Sequence, residues 1–422
     1  MLALIIAGEA IFILPFGLAR VFRPTLLDYF QISNTQLGVI MSAYGIVAIL
    51  AYFAGGPLAD RFSARLLMGI ALVSTAVGGV GLATMRDPET LRLLWAFWGL
   101  TTILLFWAPL LRATREWGGD DKQGRAYGLL DGGRGLVAAL FASGTVALYS
   151  TLLPVAADKA TLAQRAEALE TVIWVTVALT GGVALLIWIF VREPSTGGGE
   201  ESAAEPRPKL TLSGVRAALR MPAIRAQAVI IVCAYVGYKS TDNVALFARD
   251  VFGYNDVESA RLSTLTFYAR PVGTIIAGLV ADRFRSSQVI VWCFAVVIAG
   301  NLVLALGLIP PGVAWVLIVT LATTSLGIYS LRGVYFALFG EARVPLAYTG
   351  SAVGVVSVVG FTPDVFMAPL MGYLTDGTPG AGGHQQLYGV VALFGLIGLL
   401  ASLYFRRAVA RQPGESPASG EA

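Results

Sequence analysis

At 422 residues, with 56% apolar, 13% charged and a formal net charge of +4, the chain lies outside the ordinary soluble range. Its mean hydropathy of +0.72 makes a lipid bilayer the natural solvent. Basic residues are scattered among apolar runs and form no polar basic face, which argues against nucleic acid, and Cys233 and Cys293 sit inside apolar runs with neither disulfide nor metal-ligand spacing.

A helix crosses the hydrocarbon core with about 20 apolar residues. Twelve such runs follow one another, giving an all-α polytopic membrane protein. The first half offers Leu2 to Val21, with an extension to Leu27, then Gln36 to Gly55, Leu66 to Met85, Leu93 to Thr114, Ala126 to Leu153 and Leu169 to Val191. The second offers Ala223 to Val244, Val257 to Ala281, Gln288 to Ile309, Val313 to Phe339, Leu346 to Leu374 and Leu387 to Phe405. Because the first run carries Glu9 and lacks a basic leader, it reads as a span and not as a cleaved signal.

Composition divides the chain into an N-terminal six-helix bundle (1–191), a Gly-, Glu-, Pro- and Ser-rich linker (192–222), a C-terminal six-helix bundle (223–406) and a polar tail (407–422) expected to be disordered. With the linker inside, eighteen Lys and Arg fall on its side of the membrane and eight on the other. The positive-inside rule then places linker and both termini in the cytoplasm, as expected of a multi-pass bacterial inner-membrane protein.

A short stretch recurs. Gly56-Pro57-Leu58-Ala59-Asp60-Arg61-Phe62 and Gly278-Leu279-Val280-Ala281-Asp282-Arg283-Phe284 stand 222 positions apart, and the pairs Gly128/Gly132 and Gly350/Gly354 repeat at the same offset. The chain is therefore duplicated, each copy placing its Asp-Arg stretch in a tight turn between two helices. Asp60 there can meet a helix N-terminus, and Arg61 or Arg65 a helix C-terminus or a carboxylate. Alternatively, Arg61 and Arg65 only anchor topology.

Twelve spans, a central linker and a Gly-x-x-x-Asp-Arg stretch after span two resemble the major facilitator superfamily of secondary transporters, over essentially the whole chain. The resemblance implies a fold of two six-helix bundles, alternating access, and a gating role for Gly56, Asp60, Arg61, Arg65, Asp282 and Arg283. The family pattern continues as Gly and two basic residues, where this chain has Ser63-Ala64-Arg65 and, in the second copy, Arg285-Ser286-Ser287; the eroded copy predicts an asymmetric gate. Gln36-Leu37-Gly38, the Gln123-Gly-Arg-Ala-Tyr-Gly run leading to Asp131 and Arg134, and Pro363-Asp364 look similar to a little-characterised bacterial branch. The dispersed arginines are similar to those of organic-anion and sugar-phosphate carriers.

Eight ionisable residues lie within the spans: Glu9, Asp131, Arg134, Lys239, Asp242, Arg270, Arg332 and Asp364. Each is expensive in hydrocarbon and must face protein or a water-filled cavity. Asp131 and Arg134, at i and i+3, can neutralise one another on one helix face, or Arg134 can meet substrate. Tyr238, Lys239, Asp242 and Asn243 read as cavity lining on span seven, with snorkelling the alternative for Lys239. Arg270 is paired by expectation with Asp242, Asp364 or a substrate. Arg332, about two turns from a span end, is expected to snorkel. If the first helix runs on to Leu27, Arg20 points into the cavity.

The expected function is proton-linked transport of a small organic anion, a carboxylate, sugar acid or sugar phosphate, by a monomer in the lipid bilayer, with no cofactor and no metal. Arg20, Arg134, Lys239 and Arg270 are the candidate substrate cations, with Tyr238, Asp242 and Asn243 beside them, and Glu9, Asp131 or Asp242 the coupling acids for a proton or another ion. An exporter of apolar or cationic compounds would use the acids instead. A non-transporting membrane sensor is the rival from another class, and no enzyme is indicated. His384, the single histidine, is expected in an outer loop, which leaves no buried histidine relay or triad.

Overall fold

The computed structural model describes residues 1–119, 123–191, 216, 219–310, 312–342 and 346–411, with the side chains of Phe53, Asp60, residues 123–125 and residues 346–351 outside the description. Among the described residues the regular elements are all helices. The crossings are α1 (Leu2–Val21), α2 (Asn34–Arg61), α3 (Ala64–Thr84), α4 (Pro88–Gly118), α5 (Gln123–Leu152) and α6 (Leu162–Phe190) in the first half. The second half has α7 (Pro222–Ser240, continued by Val244–Phe252), α8 (Asp256–Arg283), α9 (Ser286–Ala305), α10 (Ala314–Glu341), α11 (Leu346–Gly360 and Pro363–Gly377) and α12 (Ala381–Ala410).

Among the described residues, eleven helices are long and apolar enough to cross a membrane. In α7 the apolar run is diluted by Arg225, Gln227 and Lys239 and interrupted by a 3-10 turn at Thr241–Asn243. At ~1.5 Å per residue its pieces still reach about 45 Å, so the polarity marks burial and not a missing crossing.

Local chemistry sets the helix ends. Ser33 and Gln36 form a reciprocal capping box at the start of α2, and Asn255 and Glu258 form one at the start of α8. These positions are also 222 apart, so the duplication reaches the caps. Gln31 and Gly253, at φ 54° and 69°, end the preceding helices in the left-handed conformation. In α1, Pro15 falls within a π turn at Ile13–Gly17. Its carbonyl accepts the Trp95 indole N–H at 3.1 Å, tying α1 to α4.

The Gly-Pro-rich stretch after span two departs from the expected turn. Gly55 to Arg61 continue α2 as helix, with Pro57 inside it, and only Phe62 and Ser63 turn the chain before α3. Gly278 to Arg283 likewise complete α8. Proline removes one helical donor without ending the helix here, because Phe62 N–H still reaches the Leu58 carbonyl at 3.2 Å.

The halves meet along two seams, α2 against α11 and α5 against α8. Small residues let the backbones touch, as helix association in lipid requires. A Cβ on Gly38 would lie 2.3 Å from the Ala368 carbonyl oxygen, and one on Gly372 would lie 2.3 Å from the Thr35 Cα.

The near face is the one where α1 begins and α12 ends; the far face is opposite. Polar contacts seal the far side of these seams. Asp376 accepts from the backbone and hydroxyl of Thr35 at 2.7 and 2.6 Å, and Asn34 donates to Thr375 at 2.7 Å. Asp28 binds Arg249 at 3.2 Å and Arg165 at 3.5 Å, while Arg165 also reaches Asp256 at 3.4 Å. Arg23 is wholly buried in this seal, bonded through Nε to Asn34 at 2.8 Å. At the near face, open space surrounds the Cβ positions of Gly56 and Gly278. The structure is therefore closed at the far face.

Candidate functional site

A cavity of about 130 Å³ lies between the halves beneath the far-face seal. That is room for roughly four waters or a small solute. Its walls come from both halves: Glu9, Phe16 and Arg20 from α1, Tyr44 and Tyr52 from α2, Arg134 from α5, and Tyr235, Tyr238, Lys239, Arg270, Arg332 and Asp364 from α7, α8, α10 and α11.

The charges are arranged in two groups. Toward α5 and α8, the Glu9 carboxylate lies between Arg134 at 3.3 Å and Arg270 at 3.2 Å. Asp131 pairs with Arg270 at 3.1 Å and only loosely with Arg134, at 3.9 Å. Partnership therefore runs mainly between helices, in place of the expected pairing along α5. Arg134 also donates from Nε to the Gly8 carbonyl at 2.8 Å and stacks on Trp107, 5.4 Å from its ring centre.

Toward α7 and α11, Asp242 accepts from Arg20 and pairs with Lys239 at 3.2 Å. Lys239 reaches Asp364 at 3.4 Å, and the Tyr235 hydroxyl donates to the same carboxylate at 3.0 Å. Lys239 is 2% exposed, so it does not snorkel. The Tyr238 ring has the Arg20 guanidinium 4.6 Å and the Arg332 guanidinium 3.7 Å from its centre.

Several expectations change. Arg270 pairs with Glu9 and Asp131, neither Asp242 nor Asp364, because the face of α8 that carries it packs on α5. Arg332 lines the cavity instead of snorkelling: its guanidinium lies over Tyr238, and Nη1 is buried with no hydrogen-bond partner. Its distance from the helix end suggested an exit to water; the helix face it occupies decided otherwise.

Asn243 is turned away from the cavity, its Nδ2 2.8 Å from Nδ1 of His384. His384 is helical and 1% exposed, not in a loop, because α12 begins at Ala381, directly after Gly380 at φ 76°. Its Nε2 stands 3.2 Å from Asp250, making an Asn243–His384–Asp250 bridge between α7 and α12 that runs from two buried side chains to an exposed carboxylate.

The expected gating residues gather at the near face. Arg61, Asp282 and Arg283 are exposed, and Arg65 stacks on Trp188 with 5.4 Å to the ring centre. The backbone of Asp60 is helical, while its side chain lies outside the described residues. Among the described residues no His, Cys, Asp and Glu cluster suits a metal ion.

The sequence model of the Major Facilitator Superfamily matches residues 5–362. Inner membrane protein YihN of Escherichia coli (strain K12) is 24% identical over 419 residues, covering 98% of this chain and 96% of that protein. Inner membrane protein YqcE of the same organism is 28% identical over 403 residues, covering 92% and 90%. In fold, the chain resembles an inward-facing, unoccupied bacterial homologue of the human lysosomal transporter Spinster, at a TM-score of 0.74 and 15% identity over 96% of this chain and 97% of that one. A mutant of the nucleoside transporter NupG matches at a TM-score of 0.68 and 15% identity over 96% and 100%. The structural likenesses carry the fold, and the sequence match carries the family: the chain belongs to the Major Facilitator Superfamily of secondary transporters.

Proposed function

We propose that the chain is a proton-linked carrier of a small organic anion. The observation that carries this reading is a surplus of one cation. Arg20, Arg134, Lys239, Arg270 and Arg332 line the cavity, while the carboxylates that pair with them are Glu9, Asp131, Asp242 and Asp364. Of the five cations that line the cavity, Arg332 is the one without a carboxylate partner among the described residues, and its buried Nη1 is a donor awaiting an acceptor. A carboxylate or phosphate oxygen supplies that acceptor, with Tyr238 holding the guanidinium flat beside it.

Glu9 is the coupling acid in this scheme. Its carboxylate holds two guanidinium groups, so a proton on Glu9 loosens Arg134 and Arg270 together and opens donors on both for the incoming anion, while Asp131 keeps its hold on Arg270. Proton and anion then load cooperatively. Asp131 and Asp242 act by setting the direction of Arg270 and Arg20, and Asp242 stays paired on both oxygens.

Transport follows from rocking of the 1–191 bundle against the 223–406 bundle, the 192–222 linker joining them. The excess of Lys and Arg at the near face makes that face cytoplasmic, and the closed far face periplasmic. Gly56, Asp60, Arg61 and Arg65, with Asp282 and Arg283, would close the near face in the opposite state. The test is uptake of labelled carboxylates, sugar acids and sugar phosphates by proteoliposomes with and without an imposed proton gradient. Gradient-stimulated uptake of an anion is expected; no anion flux under any gradient sinks the reading.

A further inference from the structure

At the near face, away from the central cavity, α9, α10 and α12 enclose a second cavity of about 330 Å³. Arg285 stands at the start of α9, and Arg406 and Arg407 lie near the end of α12; all three line it. Glu341 is the acid among the described lining residues, and its Oε1 is taken by the Ser287 backbone N–H at 2.8 Å. The ion pairs among the described residues include none of the three arginines. Arg285 caps α9 without a side-chain hydrogen bond, so the helix N-terminus adds partial positive charge to the same place.

The apolar surroundings say what kind of anion fits. Leu396, Leu400, Leu403 and Arg407 follow one stripe of α12, at i, i+4, i+7 and i+11. Arg285, Trp292 and Val296 follow one stripe of the neighbouring α9, at i, i+7 and i+11. The apolar members are more than a third exposed, so each stripe offers lipid-facing surface ending in an arginine. A soluble anion would use only the arginines. A phospholipid uses both parts, acyl chains along the stripes and phosphate among the guanidinium groups.

We infer that this cavity binds the phosphate headgroup of an anionic phospholipid from the near-face leaflet. Snorkelling arginines at a span end occur without a site, but they point to open water; here three converge on one cavity whose acid is already engaged.

The experiment is thermal unfolding of the purified full chain in detergent, titrated separately with dihexanoylphosphatidylglycerol, dihexanoylphosphatidylcholine and inorganic phosphate. Phosphatidylglycerol is expected to raise the midpoint saturably, the other two to leave it unchanged. Arg285→Gln and Arg406→Gln should each weaken the apparent lipid affinity about fivefold, while Arg→Lys at the same positions restores most of it. The lipid-free midpoint of each variant reports separately on folding. An equal phosphatidylglycerol response in a triple Gln variant at 285, 406 and 407 overturns the site. A response to inorganic phosphate matching that to phosphatidylglycerol overturns the lipid as its occupant.

Discussion

Arg20 and Asp242 stand 222 residues apart, the period of the internal repeat, and they are bonded to each other. Equivalent positions of two repeats meet across the axis relating them, and identical residues there would set like charges together. Opposite charges at the two positions turn that conflict into a buried bridge between the halves. Removing one partner from such a bridge leaves the other charge buried alone, at a cost of about 3–5 kcal/mol. Asp242→Asn should therefore lower the thermal midpoint markedly, and adding Arg20→Gln, which removes the stranded charge, should recover part of the loss. An Asp242→Asn protein as stable as the parent contradicts the bridge's role.

Much of the fold was legible because membrane helices announce themselves by length and the repeat by residue identity. The capping boxes at Ser33 and Asn255 came to light only with the structure. The pairing of the charges was not legible either. Arg270 and Asp364 share a half, yet each bonds elsewhere, since helix rotation decides which face meets which. Arg332 and His384 were misplaced for a related reason: distance from a span end says how far a side chain must reach, not the direction it takes. Glycine-rich sequence around His384 read as loop, whereas only Gly380 has a turn conformation and the later glycines are helical.

Arg332 separates substrate recognition from folding. Its nearest charged-group contact is a tyrosine face, and no described carboxylate depends on it. Arg332→Gln should leave the thermal midpoint unchanged or higher, because a buried unpaired cation is itself costly. Loss of a charge-assisted hydrogen bond to substrate costs about 1.5–3 kcal/mol. Anion uptake should therefore fall roughly ten- to hundredfold in kcat/KM. Parental uptake by the variant would remove Arg332 from the site.

Gly38 is a test of the far-face seal. Its α2 backbone lies against the Ala368 carbonyl, where no side chain fits. Overpacking of this kind costs about 1–3 kcal/mol. The penalty applies to the closed far face alone, so Gly38→Val should move the population toward far-face opening by roughly five- to 150-fold. Cysteine substituted at half-buried Thr35, and measured for labelling by an impermeant maleimide, reads this directly. Unchanged labelling in the Gly38→Val background would mean that the α2–α11 seam does not separate in transport.

Glu9→Gln tests the coupling. The amide keeps the shape of the acid but carries no charge, so it imitates the protonated state in which Arg134 and Arg270 are loosened from Glu9. A carrier driven through this acid should then bind anion without needing a proton. Counterflow of labelled anion should persist, while uptake stimulated by a proton gradient is lost and the remaining flux becomes insensitive to external pH. Asp131→Asn, which removes a charge without lengthening the side chain and leaves Glu9 in place, should keep the gradient response even where it slows transport. If Glu9→Gln retains full stimulation by the gradient, the proton enters elsewhere, and Asp364, held by Lys239 and Tyr235 in the same cavity, is the next acid to substitute.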